Sequence, residues 1–131
     1  LYLGNIDSKR DWGFAGDYVR AMWLMLQANT PDDYVISTGK TYSVRYFIET
    51  AAPLFNIDLK WEGHGVNEIG INKNNNKIVV RISEKFYRPT EVDLLIGDSS
   101  KIFKNLNWSN EIDIKTLIKM MAEYEITGNL K

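Results

Sequence analysis

The chain has 131 residues, slightly fewer than the ~150 of a typical domain, so it predicts one domain at most. Hydrophobic residues make up 44% and charged residues 25%, which is ordinary globular usage and argues against disorder, collagen and coiled coil. The 16 Lys and Arg residues balance 17 Asp and Glu, and the net charge of -1 excludes a general basic surface for nucleic acid.

The absence of cysteine excludes disulfides, thiolate zinc sites and a cysteine nucleophile. The longest apolar stretch, residues 21–26, is far shorter than the ~20 residues that cross a bilayer, and no signal-peptide pattern occurs. We therefore expect no membrane partner and a cytoplasmic location. The chain begins at Leu1 rather than Met, inside an apolar run, and we expect it to be part of a longer protein.

The first 29 residues predict a strand, a loop and a helix. Residues 1–5 are apolar and end in Gly-Asn, which predicts a strand that runs into a loop over residues 6–13. A helical pattern then extends from Ala15 to about Asn29. Four apolar side chains with i, i+3, i+4, i+7 spacing form a stripe that we expect to face inward: Val19, Met22, Trp23 and Leu26.

A second strand and a second helix follow. Residues 34–36 are aromatic and β-branched, which predicts a strand that could be parallel and buried. Ser43 is a suitable N-cap for a helix that ends near Pro53. Its apolar side chains repeat with helical spacing: Val44, Phe47, Ile48 and Ala51.

The rest of the chain continues the alternation. Residues 57–61 and 78–82 predict two strands joined by an exposed excursion, with a turn in the polar tract 72–77, and residues 94–96 are a further short apolar run. Ser99 or Ser100 caps a helix that ends before Trp108, and Asp113 caps a terminal helix. The inward stripe of the terminal helix is Ile114, Leu117, Ile118 and Met121. Helices that alternate with strands predict an α/β fold.

The usual catalytic and phosphate-binding motifs are missing from the chain. The single histidine, His64, lies between Glu62 and Glu68. These three side chains could be metal ligands, or the segment could be an exposed loop. One imidazole with flexible carboxylates is weak support for a metal site, so we expect none.

Two charged clusters are candidates for anion binding. Lys9 and Arg10 precede Trp12 in a loop, where an Arg fork could hold a diphosphate; alternatively the cations are solvated and Trp12 is core. Arg88 and Glu91 flank Pro89-Thr90 in a stiff loop, where they could bind phosphate and ribose hydroxyls or simply pair with each other.

The residues around these clusters form a recognisable pattern. Residues 4–13 read GNIDSKRDWG, residues 17–27 read DYVRAMWLMLQ, and residues 87–93 read YRPTEVD. With TG at 38–39, SVR at 43–45, WEG at 61–63 and LNW at 106–108, they closely resemble the C-terminal part of the GDP-mannose 4,6-dehydratase family, which are extended short-chain dehydrogenase/reductases. The similarity covers nearly the whole chain, and KRDWG followed by RPTEVD is highly specific.

The resemblance implies a fold and an activity. Residues 1–131 would be a C-terminal mixed α/β substrate domain of a Rossmann-type enzyme, with the Rossmann core mostly outside this chain. The whole enzyme would be a hydro-lyase that converts GDP-mannose to GDP-4-keto-6-deoxymannose, toward GDP-fucose. Hydride would leave sugar carbon 4 for NADP, water would be eliminated across carbons 5 and 6, and hydride would return to carbon 6.

The resemblance also implies which residues bind substrate. Arg10 and Arg88 would grip the diphosphate, Glu91 would accept the ribose hydroxyls, and Gly4 and Asn5 would lie along the nucleoside. The family's glycine-rich loop, its Tyr-x-x-x-Lys pair and its catalytic Thr or Ser and Glu all precede this segment. We therefore expect no catalytic or cofactor-binding residue here, NADP bound by the preceding part of the enzyme, and no activity from the isolated chain.

Three further positions bear on the resemblance. Lys9 and Arg45 match motif positions, and we expect Arg45 to act mainly as a cation on the helix surface, with phosphate binding as the alternative. The motif usually reads RDWGH, whereas here Phe14 occupies the last position, so a polar contact of that loop would be absent.

Two other functions stay open on the sequence: a related nucleotide-sugar epimerase or reductase, and a free-standing binding domain without catalysis. The resemblance further implies a homo-oligomer, dimer or tetramer, of the full-length enzyme.

Overall fold

The computed structural model describes residues 1–87 and 94–128. In chain order the elements are β1 (Tyr2–Leu3), β2 (Lys9–Arg10), α1 (Ala15–Gln27), β3 (Tyr42–Ser43), α2 (Val44–Ala51), β4 (Leu59–Glu62), β5 (Ile69–Asn72), β6 (Lys77–Ile82), α3 (Ser100–Leu106) and α4 (Ile114–Thr127). Short 3-10 turns cover Ala52–Phe55 and Gly65–Asn67. The described part of the chain is therefore mixed α/β, as the alternation of patterns predicted.

Strands β1, β6, β5 and β4 form a four-stranded sheet in that order. β1 runs parallel to β6, and the other two pairs are antiparallel. The predicted turn in the polar tract is confirmed, since β5 and β6 are joined there and Asn76 has a φ of 54°. β5 itself was missed, because the sequence between the two predicted strands was read as an exposed excursion.

A second, two-stranded sheet lies inside the region predicted to be a loop. β2 pairs antiparallel with β3, with Lys9 opposite Ser43 and Arg10 opposite Tyr42. On its other side Lys9 forms one parallel bridge with Leu94. The basic pair is thus held in extended backbone between two other segments of the chain.

Helix α1 has the predicted extent but buries a different face. The predicted stripe is exposed, at 62% for Val19, 54% for Met22, 59% for Trp23 and 81% for Leu26. Ala21 faces inward instead and forms a fully buried cluster with Ile102 of α3 and Trp108. The inward orientation predicted for this stripe is therefore wrong in the described chain, because α3 and Trp108 pack on the opposite side of the helix.

The predicted strand at residues 34–36 is also wrong, since these residues form no ladder with any described segment. Tyr34 and Ile36 pack against the buried cluster, while Val35 between them is exposed. The segment is extended and alternates in burial as a strand would, yet it lacks a hydrogen-bonded neighbour among the described residues.

The caps predicted for α2 and α4 are confirmed. The Ser43 hydroxyl accepts a hydrogen bond from the N–H of Tyr46 (3.0 Å), and the Asp113 carboxylate accepts one from Thr116 (2.8 Å). Ile114 and Ile118 of α4 are buried as predicted, whereas Met121 is 51% exposed. None of the described helices is both long enough and apolar enough to cross a bilayer.

Candidate functional site

The loop that follows β1 is held closely against the end of the segment after β6. A side chain on Gly4 would collide with the carbonyl of Phe86, so only glycine allows this approach of two backbones. The approach brings Tyr87 beside the loop, and the two segments share a small cavity of about 30 Å³. It is lined by Gly4, Asn5, Ile6, Asp7, Gly65, Glu68, Ile82 and Tyr87. A cavity this small holds roughly one water, so a larger ligand would have to lie across its rim.

Asn5, one of the predicted binding residues, shapes this loop. Its side-chain oxygen accepts a hydrogen bond from the N–H of Asp7 at 3.0 Å, which is an Asx turn. The asparagine therefore has a local structural function that does not depend on a ligand.

The basic cluster lies one step further along the chain. Lys9 is exposed and Arg10 is half-buried, and Arg10 donates to the carbonyl of Lys9 at 2.7 Å. Trp12 is half-buried, and its ring meets that of Phe47 in α2 edge to face, with centroids 5.3 Å apart. The tryptophan thus packs against α2 while the cations lie on the adjacent strand.

Asp11, inside the same motif, fixes the loop to a distant turn. One carboxylate oxygen accepts from the N–H (3.1 Å) and hydroxyl (2.6 Å) of Thr38, and the other accepts from the N–H of Gly39 (2.9 Å). The KRDWG and Thr-Gly stretches are separate in the sequence, and the Asp11 carboxylate joins them by accepting three hydrogen bonds.

Arg45 is the centre of an ion network beside the small cavity. Its guanidinium donates to Asp7 (2.8 and 3.2 Å) and to Glu68 (2.6 and 2.9 Å), and lies 4.9 Å from the ring centroid of Trp61. The hydrogen bond from Arg45 lowers the pKa of Asp7 below its usual value. Hydrogen bonds to Glu68 and Asp7 in turn raise the pKa of Arg45.

This network corrects the expectation for Arg45, which is not simply a cation on a helix surface. Sequence reasoning noted Asp7 in a motif and Glu68 as a possible metal ligand, but it missed that both pair with Arg45, which lies 38 and 23 residues from them. No local spacing signals such pairs, because the partners are far apart in the sequence.

Arg88 and Glu91 lie outside the described residues, and their roles stay predictions. The residues on either side of that segment are described. Tyr87 lines the cavity with Gly4 and Asn5, and Leu94 is bridged to Lys9. Tyr87 thus lies beside the loop that carries Gly4 and Asn5, and Leu94 lies beside the strand that carries Arg10.

Within residues 1–87 and 94–128, no three His, Asp or Glu side chains are grouped so that they could hold a metal ion. Glu68, one of the three candidates around His64, is instead paired with Arg45.

Solved structures of other proteins share this fold. RMD from Pseudomonas aeruginosa, solved with NADPH, superposes with a TM-score of 0.69 at 18% identity, over 94% of this chain and 34% of that one. UDP-glucose 4-epimerase from Thermotoga maritima, solved with UDP-glucose, superposes with a TM-score of 0.70 at 19% identity, over 98% and 35%.

Sequence comparison then specifies the family. The family model described as GDP-mannose 4,6 dehydratase matches residues 1–121. The GDP-mannose 4,6 dehydratase of Drosophila melanogaster is 50% identical over 124 residues, which cover 95% of this chain and 31% of the relative. The chain belongs to the GDP-mannose 4,6-dehydratase family and spans about a third of the length of this relative.

Proposed function

We propose that residues 1–131 are the substrate-binding portion of an NADP-dependent GDP-mannose 4,6-dehydratase, a hydro-lyase that forms GDP-4-keto-6-deoxymannose. The observation that carries the proposal is the family match over residues 1–121, which includes both the KRDWG and RPTEVD stretches.

The proposed contacts are those of the predicted site. Arg10 and Arg88 bind the diphosphate, Glu91 accepts the ribose hydroxyls, and Gly4 and Asn5 lie along the nucleoside. The contacts of Tyr87 with the Gly4 loop and of Leu94 with Lys9 support this grouping, because Tyr87 and Leu94 flank residues 88–93 in the sequence.

These residues would contribute binding free energy rather than chemistry. Tight contacts to a diphosphate and ribose remote from the reacting carbons help to orient the hexose, which lowers the entropic part of the barrier. The sequence contains neither a G-x-x-G-x-x-G loop nor a Tyr-x-x-x-Lys pair, the two features that would bind NADP and transfer protons in the proposed enzyme. NADP bound elsewhere in the enzyme would supply the hydride acceptor, and the isolated chain would bind GDP without turnover.

The same proposal includes a homo-oligomer of the full-length enzyme, dimer or tetramer, in the cytoplasm, on the route to GDP-fucose. Sedimentation of the full-length protein measures the oligomer directly.

The proposal is tested by assay and titration of the full-length protein. With NADP it should convert GDP-mannose to a 4-keto-6-deoxy product, detected by mass spectrometry. Replacing Arg10 or Arg88 by Ala removes a charge-assisted contact of about 1.5 to 3 kcal/mol, so GDP affinity should fall roughly 10- to 150-fold in calorimetry. Glu91→Gln should have a smaller effect, and smaller still for 2′-deoxy-GDP.

Arg81→Ala, an exposed arginine on β6, is the matched control and should leave GDP affinity unchanged. Equal GDP affinity in the wild type and all three site variants would end the assignment of these residues. Turnover of a different nucleotide-sugar in preference to GDP-mannose would favour an epimerase or reductase instead.

A further inference from the structure

Arg45 binds the Gly4–Ser8 loop with its main chain as well as its side chain. Its own N–H donates to the carbonyl of Ile6 at 2.7 Å, and the N–H of Val44 donates to that of Ser8 at 3.2 Å. These two N–H groups belong to the first turn of α2, which has no partner for them within the helix. The start of α2 and the loop after β1 therefore complete each other's hydrogen bonds.

The guanidinium adds a second attachment from the same residue. It grips Asp7 of the loop with one edge and Glu68, just before β5, with the other. The side chain of Glu68 is only 11% exposed and that of Arg45 is 24% exposed, so solvent screens this pair weakly. A carboxylate so enclosed is costly without its cation, which makes the position of Arg45 strongly constrained.

Because both edges of its fork are occupied by carboxylates, Arg45 is poorly placed to take a phosphate as well. Its partners nevertheless line the small cavity together with Gly4, Asn5 and Tyr87. The loop that Arg45 holds leads directly into Lys9 and Arg10 of β2. The network thus joins the loop that leads to these cations to the start of α2 and to Glu68.

We propose that Arg45 is a positioning residue for nucleotide-sugar binding: through Asp7 and Glu68 it holds the Gly4–Ser8 loop in its binding conformation before the ligand arrives. A loop that is already ordered loses less conformational entropy on binding, so affinity rises with no added ligand contact. The inference rests on the proposed function, because it assumes that this loop binds the nucleotide.

The test uses the full-length protein with Arg45→Met and Arg45→Lys. Methionine keeps much of the length of the side chain but removes the charge and the fork, so KM for GDP-mannose and Kd for GDP should each rise roughly 10-fold. The kcat should stay within about twofold, because substrate that binds still meets an intact catalytic centre. Arg45→Lys keeps the charge but cannot donate paired hydrogen bonds to both carboxylates. The KM of this variant should therefore lie between those of the wild type and Arg45→Met.

Arg20→Met is the matched control, since Arg20 of α1 pairs with Glu111 at 3.1 Å, in a network that shares no residue with the loop. Arg20→Met should lower the melting temperature without changing KM for GDP-mannose or Kd for GDP. Hydrogen exchange at residues 5–9 should accelerate in Arg45→Met and stay at the wild-type rate in Arg20→Met, which reports the order of the loop without any nucleotide.

Three results would overturn the inference. If Arg45→Met lowers the melting temperature but leaves Kd for GDP and KM unchanged, Arg45 only stabilises the fold. If Arg45→Met does not fold, Asp7→Asn and Arg45→Lys decide, and wild-type Kd in both rejects the positioning role. If wild-type protein binds no GDP while exchange at residues 5–9 still depends on Arg45, the proposed function fails and the nucleotide role fails with it.

Discussion

Asp17 shows how much of this chain depends on single polar residues in buried places. Its side chain is on α1, yet one carboxylate oxygen accepts hydrogen bonds from the N–H groups of Glu111 (2.9 Å) and Ile112 (3.1 Å). Its main-chain carbonyl accepts from the indole N–H of Trp108 at 2.9 Å. The residue is only 4% exposed, so these contacts satisfy polar groups that water could not easily reach.

Replacing Asp17 separates the loss of charge from the loss of an acceptor. Asp17→Leu leaves two N–H groups with no acceptor from this side chain, and the free energy of unfolding should fall by about 2 to 5 kcal/mol. Asp17→Asn keeps a carbonyl oxygen in place and should cost clearly less. Urea denaturation measures both, with the exposed Glu84→Leu as control; equal losses for Leu and Asn would show that the acceptor is unimportant.

At the level of elements, α2 is the short helix that connects most of the site. It has eight residues, carries Arg45 near its start, and supplies Phe47, on which Trp12 packs. A helix this short is not stable by itself, so it depends on its cap and its tertiary contacts. Ser43 contributes to both the cap and the tertiary contacts: its hydroxyl caps α2, and its backbone pairs with Lys9 in the two-stranded sheet.

Removing the cap should therefore weaken α2 measurably. Ser43→Ala loses the bond to the N–H of Tyr46, and the free energy of unfolding should fall by about 1 kcal/mol. For a domain of this size that corresponds to a drop of about 3 to 5 °C in the melting temperature, measured by circular dichroism. Ser43→Asn, which retains a capping oxygen, should recover most of the loss, and Ser109→Ala, at an exposed serine, should cause none. A melting temperature for Ser43→Ala within error of the wild type would contradict the cap assignment.

At the level of the whole molecule, the outer face of α1 is the least expected feature. Val19, Met22, Trp23 and Leu26 are all more than half exposed, and such contiguous apolar surface is uncommon on monomeric proteins. The chain spans about a third of the length of its curated relative from Drosophila melanogaster.

The exposure of this face predicts how the 131-residue chain responds to polar substitution. Trp23→Lys with Leu26→Glu should reduce binding of an apolar dye such as anilinonaphthalene sulfonate and reduce self-association in sedimentation. Stability should change by about 0.5 kcal/mol or less, because neither side chain is in the core. Gln27→Glu, which alters charge on the same helix without removing apolar surface, is the control. A large loss of stability in the double variant would mean that the stripe packs inward after all.

Local features of the sequence were enough to determine the helices, the caps of α2 and α4, and the family, whereas Ser99 before α3 makes no side-chain cap hydrogen bond. The bounds of α1, the hydroxyl of Ser43 and the carboxylate of Asp113 were predictable, because periodicity and capping act over three or four neighbouring residues. The order of KRDWG and RPTEVD was enough to indicate the family that the comparisons then confirmed.

Only the tertiary structure decided which face of α1 is buried and what Arg45 binds. An apolar stripe shows which face of a helix is hydrophobic, but whether that face is buried depends on which element packs against it. In this chain α3 and Trp108 pack against Ala21, on the opposite face of α1. Glu68 and Asp7 reach Arg45 from 23 and 38 residues away. Such pairs leave no periodic trace in the sequence, because the folded chain, not the spacing of residues, brings their charges within hydrogen-bond distance.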